Sequence, residues 1–336
     1  MTLPRAAALI LAFTPFAHSH ESDAKAPGPD TAGRPAVTTG GYTTVPGWGT
    51  IPETLKVGPT HGGVVVDKAG LIYMSSDSAE GIYVFKSDGT LVKTIAKENS
   101  GIHGLAIREE NGTEFLYAAH LRGAQALKLT LAGEVVLKIP FPAESNAYPE
   151  GKGYKPTGIA VAPDGSIFVT DGYGLSLIHK FDAAGKYIKT FGGKGKEDGK
   201  FMTSHGIAID SRSGTPLLLV CDRENRRIVH LDLDGNYVDT IATDLRRPCA
   251  VSILGDLVAV AELESRVIIL DKTNKIIATL GDNPDKSQWA NFGVPPEQWH
   301  EGIFTAPHGL SFDAQGNLYV QDWNKTGRLT KLVKGK

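Results

Sequence analysis

The sequence predicts an all-β fold, a six-bladed β-propeller, and three observations support this prediction. Six segments share one pattern: a leading residue, a short apolar run, a turn, and a second apolar run that usually ends in an acid. Successive leading residues are 42 to 59 residues apart, and the chain has 39 Gly and 19 Pro, which suits many turns. A repeat of this length is typical of a propeller built from similar blades. The leading residues are His61, His103, Thr157, His205, Cys249 and His308.

Each repeat is expected to form four antiparallel strands. Two more strand-like runs follow the first pair, joined by hairpin turns such as Ser-Asp-Gly at 87–89 and Leu-Asp-Gly at 233–235. The last repeat has room for three strands, so we expect a strand within residues 50–57 to complete it and close the ring. An eight-stranded barrel or a sandwich is the alternative, but neither explains repeats of this length.

The chain divides into three segments in this prediction. Residues 1–19 have a basic residue, a twelve-residue apolar run and small residues at Ala17 and Ser19, as in a secretory signal. That run is too short for a bilayer, which needs about 20 residues. Residues 20–49 are rich in Ala, Gly, Pro, Asp and Thr and are expected to be a flexible linker. Residues 50–336 form the propeller of a secreted or periplasmic protein without a membrane span.

Charge and motif content exclude several classes of function. The 35 basic and 37 acidic residues leave a net charge of −2, whereas a nucleic-acid binder usually presents an excess of positive charge. No G-x-G-x-x-G follows a strand and opens a helix, and no G-x-S-x-G elbow is present. Two cysteines are too few for a disulfide scaffold. We expect a monomer whose partner is a small-molecule or peptide substrate.

Three of the leading histidines point to a metal site. His103, His205 and His308 lead repeats two, four and six, so their side chains should approach the propeller axis about 120° apart. Three imidazoles and an open fourth position are typical of catalytic zinc. A single His at a strand start is usually a hydrogen-bonded core residue, but three desolvated imidazoles at one axis need something that satisfies them. Copper, iron or nickel would also accept imidazole ligands.

The other leading residues leave alternatives open. His61 is expected to lie around the metal ligands or line the pore, with direct ligation as the alternative. Cys249 is expected to be a buried thiol beside the site, with ligation again possible. Cys221 ends a neighbouring strand, and an exported protein would permit a Cys221–Cys249 disulfide.

One region resembles a known family. The chain resembles NHL-type propellers in the Asp that recurs at the end of the second strand. Residues 169–232 resemble the lyase domain of peptidylglycine α-amidating enzymes, through DGY at 171–173, F-x-x-x-HGIA at 201–208 and DREN at 222–225. The resemblance implies that the three histidines bind zinc, that Tyr173 is the base acting on a substrate hydroxyl, and that Arg223 holds the substrate carboxylate. Asp171 and Asp222, which end second strands, are expected to brace the loops beside the metal.

The sequence departs from this family at three positions. The family has a further Arg at the end of the first blade's second strand, where residues 72–78 read IYMSSDS. Gly309 stands where the family has a calcium-binding Asp, so a structural calcium is not expected. Ala306 replaces a Met.

The resemblance therefore implies a metal-dependent carbon–nitrogen lyase, with zinc as the expected cofactor, that cleaves a C–N bond next to a metal-bound hydroxyl. The alternative is a non-catalytic exported propeller that binds a protein or glycan, and the missing arginine favours it. A calcium-dependent lactonase ranks third, because a ring of histidines does not suit a hard cation.

Overall fold

The computed structural model describes residues 35–149 and 153–335, and it shows a six-bladed β-propeller. Every blade is an antiparallel sheet, and in five blades the four strands lie in chain order from one edge to the other. The predicted fold class is confirmed.

The first three blades follow one another along the chain. Blade one comprises Val64–Val66, Ile72–Ser75, Ile82–Phe85 and Leu91–Ile95. Blade two comprises Ile102–Glu110, Thr113–His120, Gln125–Thr130 and Val135–Ile139. Blade three comprises Gly158–Val161, Ile167–Asp171, Leu177–Phe181 and Tyr187–Gly192.

The second half of the ring repeats the arrangement. Blade four comprises Ser204–Asp210, Leu217–Asp222, Arg227–Leu231 and Tyr237–Ala242. Blade five comprises Pro248–Leu254, Leu257–Glu262, Arg266–Leu270 and Ile276–Leu280. Blade six receives Pro307–Phe312, Leu318–Asp322 and Arg328–Lys334 from the end of the chain.

The ring closes through an N-terminal strand, as predicted. The predicted position of that strand, within residues 50–57, is wrong. Tyr42–Thr44 pairs with the last strand, with Tyr42 opposite Lys334, and Thr38–Thr39 adds a fifth strand outside it. Gly40 and Gly41 form the two-residue turn with positive φ at both positions, a conformation that glycine adopts without strain. The Gly-rich composition that suggested a linker therefore forms a hairpin, and the propeller begins before residue 50.

The predicted signal at 1–19 lies outside the described residues, as does the part of the predicted linker before residue 35. Within residues 35–149 and 153–335, four short 3₁₀ helices occur in loops, at Lys97–Asn99, Ala143–Ser145, Lys286–Gln288 and Pro296–Gln298. Among the described residues, no helix has the length and apolar character needed to cross a membrane.

Apolar side chains between adjacent blades form the core. Second and third strands are buried on both faces, as in Ile82–Phe85, where all four residues are buried. The outermost strands are more exposed. Those of the first four blades each leave one large apolar side chain exposed, such as Val92 and Val136, and that of blade five leaves Ile276 and Ile277 exposed. The innermost strands contact each other around a central channel, so their first residues are brought together at one end.

A β-bulge at the start of the innermost strand turns the leading side chain toward the axis. The strand register shifts around His103, His205, Cys249 and His308 in blades two, four, five and six. A bulge re-aims a side chain in this way without ending the strand.

Glycine after three of the leading histidines permits close contact between blades. A Cβ at Gly104, Gly206 or Gly309 would collide with a carbonyl oxygen of the next blade. These are the carbonyls of Thr157, Cys249 and Gly62, which also accept hydrogen bonds from the preceding histidines. The His-Gly pair thus places the imidazole and its acceptor together.

Candidate metal centre

Four imidazoles gather at one end of the central channel. The ring centres of His103, His205 and His308 form a nearly equilateral triangle, with separations of 4.8, 4.7 and 4.9 Å. His61 lies 4.7 Å from His103 and 4.8 Å from His308 by the same measure. The structure therefore brings together the three predicted ligands, and it adds the fourth leading histidine to them.

Backbone carbonyls determine the tautomer of the three predicted ligands. Nδ1 of His103 lies 2.6 Å from the carbonyl oxygen of Thr157, and Nδ1 of His205 lies 2.8 Å from that of Cys249. Nδ1 of His308 is 3.2 Å from the carbonyl oxygen of Gly62. A carbonyl can only accept, so each Nδ1 carries the proton and each neutral ring presents a bare Nε2 lone pair.

The hydroxyl of Tyr173 lies among these lone pairs. Its oxygen is 3.0 Å from Nε2 of His205, 3.2 Å from Nε2 of His103 and 3.1 Å from Nε2 of His61. Tyr173 sits between Gly172 and Gly174 in the loop that follows the second strand of blade three. That loop carries the side chain to the axis in the sector where Thr157 leads the blade.

This cluster contains more hydrogen-bond acceptors than hydrogen-bond donors. The phenol has one proton for three neighbouring nitrogens, two of which belong to rings with a settled Nε2 lone pair. Nε2 of His308, whose residue is 3% exposed, has no hydrogen-bond partner among the described residues. Buried polar atoms are normally satisfied, and convergent imidazole lone pairs are what zinc and related ions bind. The cluster could therefore hold a metal ion.

Two three-residue donor sets have ligand atoms within 4.8 Å of one another. One consists of His61, His103 and His308, and the other of His205, Cys249 and His308. The predicted set of His103, His205 and His308 is close by ring centres but is not one of these two. His61 and Cys249, expected around the ligands, thus each belong to a donor set of their own.

Burial keeps the ring histidines neutral. It is the main cause that lowers the pKa of His103, His205 and His308 well below the usual range. The neighbouring His61 ring adds to the effect at His103 and His308, and the Arg223 guanidinium does so at His205. Neutral imidazole is the form that binds metals.

Arg223 reaches the same centre from blade four. Its Nη1 donates to the Tyr173 oxygen at 3.3 Å, and its Nε donates to Glu224 at 2.9 Å. Arg247 from the next blade donates twice to the same Glu224 carboxylate, at 3.0 and 2.7 Å. Burial raises the pKa of Tyr173 to about 12, and the charge of Arg223 acts in the opposite direction.

Asp171 and Asp222 brace loops near the histidines. The Asp171 carboxylate accepts backbone N–H groups of Lys155 and Leu175, at 2.6 and 2.7 Å, and so holds the loop that bears Tyr173. Asp222 accepts the N–H of Met202 at 2.8 Å and contacts Asn225 and Arg227 at 2.7 Å each. Both carboxylates are fully buried.

Cys221 and Cys249 are free, buried thiols, so the disulfide considered above is not formed. Burial raises the pKa of Cys249 to about 11, and the charge of Arg223 opposes this shift.

The structure clarifies two of the departures from the family pattern. At the end of the first blade's second strand, Asp77 places a carboxylate oxygen 3.6 Å from Nδ1 of His61, so this blade offers an acid where the family has an arginine. Gly309 adjoins the carbonyl of Gly62 so closely that a Cβ would collide with it, which leaves no room there for an Asp.

Two cavities flank the centre. The central channel has a volume of about 320 Å³ and begins at His103, His205 and His308. A cleft of about 300 Å³ lies beside Tyr173 and is lined by Gly172, Ser176, Lys194, Met202 and Thr203 among others. Tyr173 is thus accessible from this cleft.

Sequence reasoning missed several supporting residues. Tyr148 donates to Asp171 at 2.7 Å and also lies 2.7 Å from Nε2 of His179, and no motif marked either residue. Glu224 joins Arg223 to Arg247, and this pairing was not predicted from the sequence. The only signal for Arg247 is its place two residues before Cys249, in the loop that leads to the axis.

Comparison with known proteins agrees with the fold and adds a relationship. A family model described as a 6-bladed beta-propeller matches residues 158–276. Peptidyl-alpha-hydroxyglycine alpha-amidating lyase 2 of Drosophila melanogaster is 30% identical over 191 residues, covering 53% of this chain and 43% of that protein. The probable lyase pgal-1 of Caenorhabditis elegans is 32% identical over 231 residues, covering 65% of this chain and 60% of that protein.

The chain thus spans less than two thirds of the length of these two relatives. A solved structure of a streptogramin B lyase superposes with a TM-score of 0.54 at 15% identity, covering 82% of this chain and 94% of that chain. At that identity the likeness concerns the fold alone.

Proposed function

Because the chain is a six-bladed β-propeller related to the peptidyl-α-hydroxyglycine α-amidating lyases, we propose that it is a metal-dependent lyase of that type. Its substrate would be a peptidyl-α-hydroxyglycine or a similar N-acyl α-hydroxy acid, and its products an amide and an aldehyde acid such as glyoxylate.

One observation carries this proposal. The Tyr173 oxygen lies within 3.2 Å of Nε2 in His61, His103 and His205, while Nη1 of Arg223 donates to it at 3.3 Å. Donor atoms that could hold a metal, a group able to take a proton and a cation able to bind a carboxylate therefore meet at one point, and this arrangement supports the proposal.

His103, His205 and His308 would hold the ion, with zinc as the expected metal. When bound, the metal supplies Lewis-acid polarisation of the substrate hydroxyl and lowers its pKa. The neutral imidazoles and their hydrogen bonds to backbone carbonyls orient the ligands before the ion arrives, as in other histidine metal sites.

Tyr173 would transfer the proton. The charge of Arg223 acts to lower the pKa of Tyr173, and a cation held by the histidines would lower it further, which favours the phenolate. The phenolate takes the hydroxyl proton of the substrate, and a C=O bond forms as the adjacent C–N bond breaks. The electron pair of the broken bond goes to the amide nitrogen, which receives the proton back from Tyr173. The residue returns to its starting form, and no redox cofactor takes part.

Arg223 and the cleft would position the substrate. The guanidinium has the planar fork that binds a carboxylate, and the network with Glu224 and Arg247 holds it beside Tyr173. The peptide portion would extend into the cleft beside Tyr173, where Met202 offers a partly exposed apolar surface.

Glyoxylate release tests the proposal. The full-length protein is first analysed for bound metal, then incubated with a peptidyl-α-hydroxyglycine while glyoxylate and peptide amide are measured. Release in equal amounts is expected, with loss on chelation and recovery on addition of zinc. A protein with stoichiometric metal that releases no glyoxylate above the uncatalysed rate would contradict the lyase function and favour a binding module.

A further inference from the structure

The fifth blade brings a sulfur atom to the ring of histidines. Cys249 leads this blade at the same β-bulge position that the histidines occupy in blades two, four and six. Its Sγ lies in a set with His205 and His308 in which all ligand atoms are within 4.8 Å of one another. In the order of the blades, Cys249 stands between these two histidines.

Both the main chain and the side chain of Cys249 face the candidate metal centre. Its carbonyl oxygen accepts the hydrogen bond from Nδ1 of His205, at 2.8 Å, and so orients that ring. The same bulge directs the thiol to the axis. His205 and Cys249 are therefore coupled, and the bare Nε2 of His308, which has no partner among the described residues, is the nearby third donor.

The surroundings of the thiol are apolar on one side and charged on the other. Cys249 is 1% exposed and packs with Leu263 and Ala306, which exclude water from the sulfur. Arg223 of blade four lies on the other side of the sulfur. A purely structural cysteine would have no need of this cation or of two imidazoles.

We propose that Cys249 is a thiolate ligand of the metal, together with His205 and His308. This inference rests on the metal centre of the proposed function and differs from it in one ligand. Cys249 takes the place of His103, so the site keeps three protein ligands and an open fourth position, with sulfur in place of one nitrogen. A bound dication deprotonates a coordinating thiol outright, and zinc accepts Cys and His in the same site. The sulfur ligand would favour zinc over the hard cations calcium and magnesium.

Cobalt substitution tests this assignment without reference to activity. The full-length apoprotein is loaded with Co²⁺, and its absorption spectrum is recorded for the wild type, Cys249→Ser and Cys221→Ser. The wild type and Cys221→Ser should show a near-ultraviolet sulfur-to-cobalt charge-transfer band that Cys249→Ser lacks. Cys221 is the matched control, because it is the other buried free thiol.

Metal affinity gives a second readout. Loss of a partner outside the coordination shell typically weakens metal binding about 10–100-fold, so loss of a direct ligand in Cys249→Ser should exceed about 100-fold. Circular dichroism and thermal unfolding of the apoproteins show whether each variant folds.

The outcomes separate this inference from the proposed function. If the folded wild type binds Co²⁺ without a sulfur band, Cys249 is not a ligand, and this result needs no variant. In that case the lyase proposal survives with histidine ligands. If the wild type binds no Co²⁺ or Zn²⁺, both the inference and the metal-dependent function are overturned.

Discussion

The phenolic oxygen of Tyr173 lies 3.0 Å from Nε2 of His205, although the two residues are carried by different blades. Nδ1 of His205 is bound to the carbonyl of Cys249, so its Nε2 is a lone pair directed at the hydroxyl. This contact links a predicted metal ligand, His205, to the predicted base, Tyr173.

Replacement of His205 by Ala should abolish stoichiometric metal binding. The change removes one Nε2 donor and leaves the Cys249 carbonyl without its hydrogen bond, so two features of the site are lost. Elemental analysis after dialysis against zinc measures the result. His300→Ala, at an exposed position in the loop before blade six, should retain the metal. Full metal content in folded His205→Ala would show that this residue is not a ligand.

Replacement of Tyr173 by Phe should spare the metal but slow turnover. The ring can keep its packing against His61, to which it is stacked with centres 5.9 Å apart, while the proton acceptor is lost. General-base catalysis is worth about 10²–10⁴-fold, so kcat should fall by that factor with a smaller change in KM. Steady-state glyoxylate release and metal analysis of the same sample check this. An unchanged kcat would exclude Tyr173 as the base.

Replacement of Arg223 by Gln should lower kcat/KM for carboxylate substrates. Hydrogen bonds to charged groups contribute about 1.5–3 kcal/mol, which corresponds to a loss of about 10–100-fold. The comparison uses a substrate whose carboxylate is converted to a neutral amide, because the variant should lose little against it. Arg226→Gln is the matched control, since Arg226 is an exposed partner of Glu264. Equal losses on both substrates would argue against carboxylate binding.

Asp210 should make the stability of blade four depend on pH. Burial alone would raise the pKa of Asp210, but hydrogen bonds from His230 and Arg212, at 3.0 and 2.7 Å, outweigh it and hold the pKa well below its usual range. A pKa lower in the folded than in the unfolded state means that this stabilisation is complete above the unfolded value of about 3.9. It is lost as the pH falls from there through the folded-state pKa.

Asp210→Asn should therefore reduce the free energy of unfolding at pH 7 by about 1.5–3 kcal/mol, with the difference from wild type shrinking below about pH 4. Urea unfolding at both pH values measures it. Asp198→Asn, at an exposed position, should behave like wild type. A difference that does not depend on pH would show that the Asp210 charge contributes nothing.

The repeat pattern determined much of the candidate site in advance. Leading residues recur once per blade, so the spacing of His103, His205 and His308 predicted their approach to one axis. The aspartates at the ends of second strands were placed correctly for the same reason, since strand alternation is a local property.

Other features depended on contacts that spacing does not encode. The ligand distances that include His61 and Cys249 arise from bulges and from close contact at glycines, and the closing strand at Tyr42–Thr44 depends on pairing with the opposite end of the chain.

The amino-acid sequence by itself determined the number of blades, the order of their strands and the identity of the residues that face the axis, because each of these follows from a short pattern repeated along the chain. The tertiary structure alone decided which donor atoms meet, where Tyr173 ends among them, and that Arg247 holds Glu224 beside Arg223. Those relationships join residues from different blades, and their distances are set by how closely neighbouring sheets pack, which no local pattern specifies.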